Sequence, residues 1–188
     1  MAEDDWMPFA NEPDAVKDQI VPFVTSTPST VRGVVKLLNV TQSDKIIDVG
    51  CGDGRFVFEA ISQVKCEGVG IDICEDLVKQ CNLEAKEKGV ETLAHFYVDN
   101  FLKEDFSFYG CNCISFYLVP KVLKGLKEKL FNYLEEDHSR RAVSCRFPFK
   151  GIIPSQIDEE LKLYYYDYNS KKGEFTSSQY DDFVSPAF

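Results

Sequence analysis

Short apolar runs and helical apolar faces take turns along most of this chain. Ile46-Ile47, Glu67–Ile73, Ala94–Val98, Asn112–Pro120 with its exit, and Arg141–Phe147 read as strands. Between them lie apolar positions at helical spacing. Val31, Val34, Val35, Leu37 and Leu38 share one face of a helix that Ser29 or Thr30 would cap. A second helix starts at Arg55-Phe56-Val57-Phe58, a third runs from Glu75 to Lys88 and stops on Gly89, and a fourth spans Lys121–Leu134. Ahead of the first helix, Ile20–Pro28 carries two prolines and reads as extended. Leu161–Tyr168 and a turn at Lys171-Lys172-Gly173 predict one or two closing strands. This alternation predicts an α/β protein, with a doubly wound, mostly parallel sheet and helices on both faces. Residues 1–19 read as an acidic N-terminal lead, and 20–188 as a single domain.

The turn between the first strand and the second helix carries the chemistry. Asp48-Val49-Gly50-Cys51-Gly52-Asp53-Gly54 places three glycines at alternate positions, where the backbone turns sharply and approaches a ligand that a Cβ would block. Strand, glycine turn and helix N-terminus make a nucleotide-type site at the carboxyl edge of a parallel sheet. The third glycine comes one residue too early for the dinucleotide fingerprint, and no lysine is present for a Walker-type phosphate loop. Asp48 and Asp53 would repel a pyrophosphate but suit an amino group and a sulfonium. S-adenosylmethionine fits that chemistry better than NAD or ATP.

Two further acidic landmarks extend the site. Asp72 ends the second strand about 20 residues after the glycine turn, the spacing at which a carboxylate meets a ribose hydroxyl pair. Its structural alternative is the N-cap of the following helix, where Glu75 or Asp76 would serve equally well. Asp99-Asn100 ends the third strand and can read an adenine amino group or form an Asx turn.

Composition narrows the class. With 188 residues and 44% apolar content, the chain can bury a core without disulfides or metal. No apolar run approaches the ~20 residues of a membrane span. Seven cysteines without paired metal spacing, and two isolated histidines, predict reduced thiols, no metal site and an intracellular protein. The acidic start, Met1-Ala2-Glu3-Asp4-Asp5, argues against a signal peptide or a basic mitochondrial presequence, so a cytoplasmic location is expected, with a mitochondrial one as the alternative. A net charge of −10 argues against broad nucleic-acid binding and for a basic partner.

The segments DVGCGDGRF, GVGID and DN resemble the class I S-adenosylmethionine-dependent methyltransferases, whose fold is a seven-stranded Rossmann-like sheet. VPFVTSTPSTV before the first helix, FYLVP after the fourth strand and VSCRFPF on the fifth are similar to one group of protein-lysine methyltransferases. Known members of that group modify the mitochondrial adenine nucleotide translocase and the c subunit of ATP synthase. The chain departs from them by beginning on an acidic rather than an apolar segment. The resemblance implies that Asp48, Gly50, Gly52 and Gly54 line the methionine end of the cofactor. It implies that Asp72 holds the ribose, that Asp99 and Asn100 flank the adenine, and that Phe23 to Thr27, with Phe23 and Thr25 foremost, form a lid. Phe116 and Tyr117 stand where such enzymes present residues to the methyl acceptor, and Arg146-Phe147-Pro148 closes the far side of that pocket.

Methyl transfer to a lysine amine of a protein is therefore the expected activity, with no general base assigned. The alternatives are a class I methyltransferase acting on a small molecule or RNA, and a non-catalytic scaffold of the same fold. The fourth strand ends in Tyr-Leu-Val-Pro rather than the Asn/Asp-Pro-Pro-Tyr/Phe of amino-methylating DNA and glutamine enzymes.

Overall fold

The structure, a computed structural model, describes residues 26–175. The acidic lead and the expected lid residues Phe23 and Thr25 lie outside the described residues. The elements run α1 (Pro28–Leu37), β1 (Lys45–Val49), α2 (Arg55–Val64), β2 (Glu67–Asp72), α3 (Glu75–Glu87), β3 (Ala94–Val98), β4 (Cys113–Phe116), α4 (Pro120–Glu136), β5 (Arg141–Cys145), β6 (Ile152–Ile153), β7 (Gln156–Asp158), β8 (Leu163–Asp167) and β9 (Lys171–Lys172). Seven strands form one sheet in the order β3-β2-β1-β4-β5-β8-β7, and β6 pairs with β9 apart from it. Neighbours from β3 through β5 are parallel, whereas β8 runs antiparallel to both β5 and β7. This is the mostly parallel, doubly wound sheet that the alternating pattern predicts.

Strand alternation sorts the side chains between two layers. Ile47 and Val49 of β1, Ile114 and Phe116 of β4 and Tyr166 of β8 pack with Leu123, Leu126 and Leu130 of α4. On the other face, Ile46, Cys113, Val143 and Leu163 meet Val34, Val35 and Leu38 of α1 and Phe56 and Ala60 of α2. Val78, Cys81 and Ala85 of α3 join Val57 and Ile61 of α2 over β3. Among the described residues, no helix is long and apolar enough to cross a membrane.

Several elements differ from the sequence expectation. Thr27, rather than Ser29 or Thr30, caps α1, and its hydroxyl oxygen accepts from the Thr30 amide at 3.3 Å. Pro28 and Pro120 each open a helix, at a position whose missing N–H would have no intrahelical partner anyway. Lys171-Lys172 is strand β9 rather than a turn, and it pairs with Ile152-Ile153. The chain reverses instead just after β8, where Asp167 Oδ1 accepts from the Asn169 amide and the Asp167 carbonyl accepts from the Ser170 amide. The crossover from β3 to β4 carries no helix, and its Phe101 and Phe108 fill the core on the α4 side.

The edge of the sheet opposite the glycine turn is locked by polar bonds. Asp44 accepts from Arg141 Nη2 at 2.8 Å, from Asn112 Nδ2 at 2.5 Å and from the Thr41 amide at 2.7 Å. Arg141 also donates to the Leu38 carbonyl, which ties the end of α1 to β5. Burial opposes the charge on Asp44, but the bonds from Thr41, Arg141 and Asn112 outweigh it and hold the carboxyl below its ordinary range. Arg141→Ala leaves this nearly buried carboxylate without its cation and is expected to cost about 3 kcal/mol in urea unfolding at pH 7. Because the folded pKa is lowered, the stabilisation is present above about pH 4 and fades as pH falls through the folded value. The acid-limb loss of stability should therefore be shallower in Asp44→Asn than in the wild type.

Candidate cofactor site

Three strand ends, those of β1, β2 and β3, bring the predicted residues together. Gly50, Gly52 and Gly54 have φ values of 78°, 51° and 74°, in the region that side-chain-bearing residues rarely adopt. A Cβ on Gly50 would sit 2.8 Å from Leu118, and one on Gly54 would sit 2.7 Å from the Phe96 ring. A side chain at either position would therefore collide with neighbouring side chains and push the turn out of place. Gly54 is also the N-cap of α2 and supplies no side-chain bond to the first turn.

The loop is fastened to β2. The amides of Gly50 and Cys51 both donate to the Ile71 carbonyl at 2.9 Å. Asp72 Oδ2 accepts from the Gly52 amide at 3.0 Å, and its Oδ1 accepts from the Cys74 amide at 2.9 Å. The N-cap of α3 is Cys74, so Asp72 is not the helix cap that the sequence left open. Half-exposed at the end of β2, it can meet a ribose while holding the glycine turn.

The contacts at the end of β3 are built around Asp99, the residue expected beside the adenine. Its amide donates to the Asp72 carbonyl at 3.1 Å, which sets the ends of β2 and β3 side by side. Asp99 Oδ1 accepts from the Asn100 amide at 2.8 Å, and Asn100 Oδ1 accepts from the Leu102 amide at 3.0 Å, an Asx turn. Tyr109 supplies a contact that the sequence reading missed. Its hydroxyl donates to Asp99 Oδ2 at 2.8 Å, and its ring lies 5.6 Å from that of Tyr97 at an interplanar angle of 11°. Burial and the Asp99 carboxylate push the phenol up to about 12, so it stays a donor at neutral pH. Tyr109 has a φ of 55°, a strained value for such a residue, and nothing in the pattern Phe106-Ser107-Phe108-Tyr109 marks it out.

The two loop carboxylates have different surroundings. Asp53 takes bonds on both oxygens from Arg55, whose Nη1 also donates to the Ser26 carbonyl just before α1. Arg55 is a second residue the sequence reading overlooked; its place two positions after Asp53 is the available signal. Asp48 is buried and accepts a single bond, from Ser115 Oγ at 2.8 Å. Desolvation pushes its carboxyl up to about 8 against the pull of the Ser115 bond, and Asp53 and Asp72 push in the same upward direction.

The expected acceptor pair separates. Phe116 is wholly buried on the α4 side, edge-on to Phe108 and Phe149, so it is a core residue and not an acceptor wall. Alternation sends Tyr117 to the opposite face, half-buried beside the α1 cluster. Leu118 then folds over Gly50. At the end of β5, Arg146 is exposed with a φ of 68°, and Phe147 is buried.

A seven-stranded sheet with an acid-flanked glycine turn at its carboxyl edge defines the S-adenosylmethionine-dependent methyltransferase class. The ANTKMT methyltransferase domain matches residues 48–156, and the chain belongs to that family. The human lysine N-methyltransferase that acts on the c-type subunit of ATP synthase is 34% identical over 78% of this chain and 60% of its own length. A protein-lysine N-methyltransferase of Saccharolobus islandicus is 28% identical over 73% of this chain and 83% of its own. An RNA methyltransferase of Salinibacter ruber, solved with S-adenosyl-L-homocysteine, superposes with a TM-score of 0.69 at 30% identity, over 83% of this chain and 99% of that one. The chain spans about 60% of the length of the human relative. The cofactor is S-adenosylmethionine. The glycine cradle and the buried, singly bonded Asp48 fit its cationic methionine end.

Proposed function

We propose that this protein transfers methyl groups to a lysine side-chain amine of a protein substrate. The observation that carries the reading is the ANTKMT domain match over 48–156, joined by relatives whose names specify protein-lysine methylation. S-adenosylmethionine supplies a methyl group already activated by its sulfonium. The work left to the chain is to hold, align and exclude water. Gly50, Gly52 and Gly54 would admit the methionine end, Asp72 would take the ribose, and Asp99, fixed by Tyr109, would meet the adenine. A lysine acceptor has an ordinary pKa near ~10.4 and must lose its proton before it attacks. Desolvation beside Tyr117 would favour the neutral amine. The net charge of −10 favours a substrate that is basic around the target lysine. The site of action is proposed to be inside the cell, where the seven free thiols stay reduced.

Tritiated methyl transfer into a cell lysate tests the acceptor. A labelled protein band that yields methyllysine on acid hydrolysis supports the proposal. RNA is the second reading, favoured by the Salinibacter ruber neighbour and opposed by the acidic charge. Label confined to RNA would replace the first reading with the second. Tyr117→Ala is expected to lower kcat at least tenfold and leave the Kd for S-adenosylmethionine unchanged. An unchanged kcat would remove Tyr117 from the acceptor site.

A further inference from the structure

Asp48 is the buried ionisable group for which the cofactor cradle offers no counter-charge. It is 2% exposed, and its one hydrogen bond comes from Ser115 Oγ, a hydroxyl that also lies 3.4 Å from the Ile47 carbonyl. No bond reaches its other oxygen among the described residues. The charged groups facing it are Asp53 in the loop and Asp72 on β2, both acidic. The thiols of Cys51 in the loop and Cys145 on β5 also face it; a bond with Cys81 and burial keep Cys51 protonated, burial keeps Cys145 so, and the carboxylate adds to both. The cation of the loop, Arg55, is committed to Asp53 and to the Ser26 carbonyl. A carboxylate so placed needs either a proton or an incoming positive charge.

We propose that Asp48 carries a proton in the cofactor-free protein and surrenders it to solvent when the positively charged end of S-adenosylmethionine settles above it. The O–H bond of the carboxyl breaks, the proton passes to the buffer, and the carboxylate remains as counter-ion to the cofactor. The inference rests on the cofactor assignment and adds the exchange of a proton for the cofactor's charge. With the free carboxyl pushed up to about 8, roughly nine-tenths of the molecules hold this proton at pH 7. The sign follows directly. Below about pH 8 the cofactor must displace a proton, so affinity rises with pH; above it, the Asp48 contribution is flat. Measured relative to Asp48→Asn, in which the cofactor's amine titrates as well, the expected gain between pH 7 and pH 9 is about tenfold.

Calorimetry of S-adenosylmethionine binding at pH 7, in two buffers of different ionisation enthalpy, counts the protons exchanged. The wild type should release nearly one more proton per cofactor than Asp48→Asn; the cofactor's own amine titrates in both and cancels in the difference. The infrared C=O band of a protonated carboxyl in the wild type should disappear on cofactor binding, a readout that needs no variant. Equal proton counts overturn the inference and leave the cofactor assignment standing. Where Asp48→Asn fails to bind, a carboxyl band unchanged by the cofactor does the same. No binding heat in the wild type between pH 6 and pH 9 overturns both.

Discussion

Gly54→Val abolishes measurable binding of S-adenosylmethionine: the Kd rises at least about 100-fold, or about 3 kcal/mol. Two costs coincide at this position. Valine at a φ of 74° is strained by about 1–3 kcal/mol, and its Cβ would meet the Phe96 ring at 2.7 Å and Phe58 at 3.0 Å. The Phe96 ring has no room to yield, since it is buried against α2 and α3. The loop must shift, and it forms the cofactor cradle. Gly89→Ala is the control: its φ is 64°, yet nothing lies within 4 Å of the added Cβ. That variant should lose about 1 kcal/mol of stability and keep its cofactor affinity. Wild-type affinity in Gly54→Val, measured by calorimetry, would show that the cofactor does not depend on this turn.

Asp72→Ala has the second large effect, an expected rise of about 100-fold in the Kd. The substitution removes the carboxylate proposed to take the ribose hydroxyls and frees the Gly52 amide that Asp72 holds at 3.0 Å. Bonds to a charged group are worth about 1.5–3 kcal/mol each, so losing the ribose contacts and loosening the turn readily reaches that figure. Asp72→Asn keeps an acceptor for the amide and should lose closer to tenfold. If Asp72→Ala binds as tightly as the wild type, the ribose assignment is wrong and the residue merely supports the loop.

The central sheet was legible because its strands are apolar runs and its helices have one-sided faces, as with Val122, Leu126 and Leu130 of α4. The glycine turn was legible because positive φ leaves a chemical mark, glycine, in the sequence. Other features leave none. Strands β6, β7 and β9 are two or three residues long, too short for a period to show. Two lysines before Gly173 look like a turn, and only the pairing with Ile152-Ile153 makes them a strand. Phe116 and Tyr117 must point to opposite faces, but which of them enters the α4 layer and which lies beside α1 is decided by helix packing. Tyr109 reaches Asp99 by tertiary folding of an irregular crossover, and Arg55 is revealed by its bonds to Asp53 and Ser26.

The dipeptide Ile71-Asp72 has a mechanical consequence. Its carbonyls and carboxylate receive the amides of Gly50, Cys51, Gly52 and Asp99, so the glycine turn and the end of β3 are anchored to one strand terminus. Fraying at the end of β2 is therefore expected to loosen both sets of contacts together. Hydrogen exchange at those four amides is expected to proceed at one common rate, and four unrelated rates would show that they open separately.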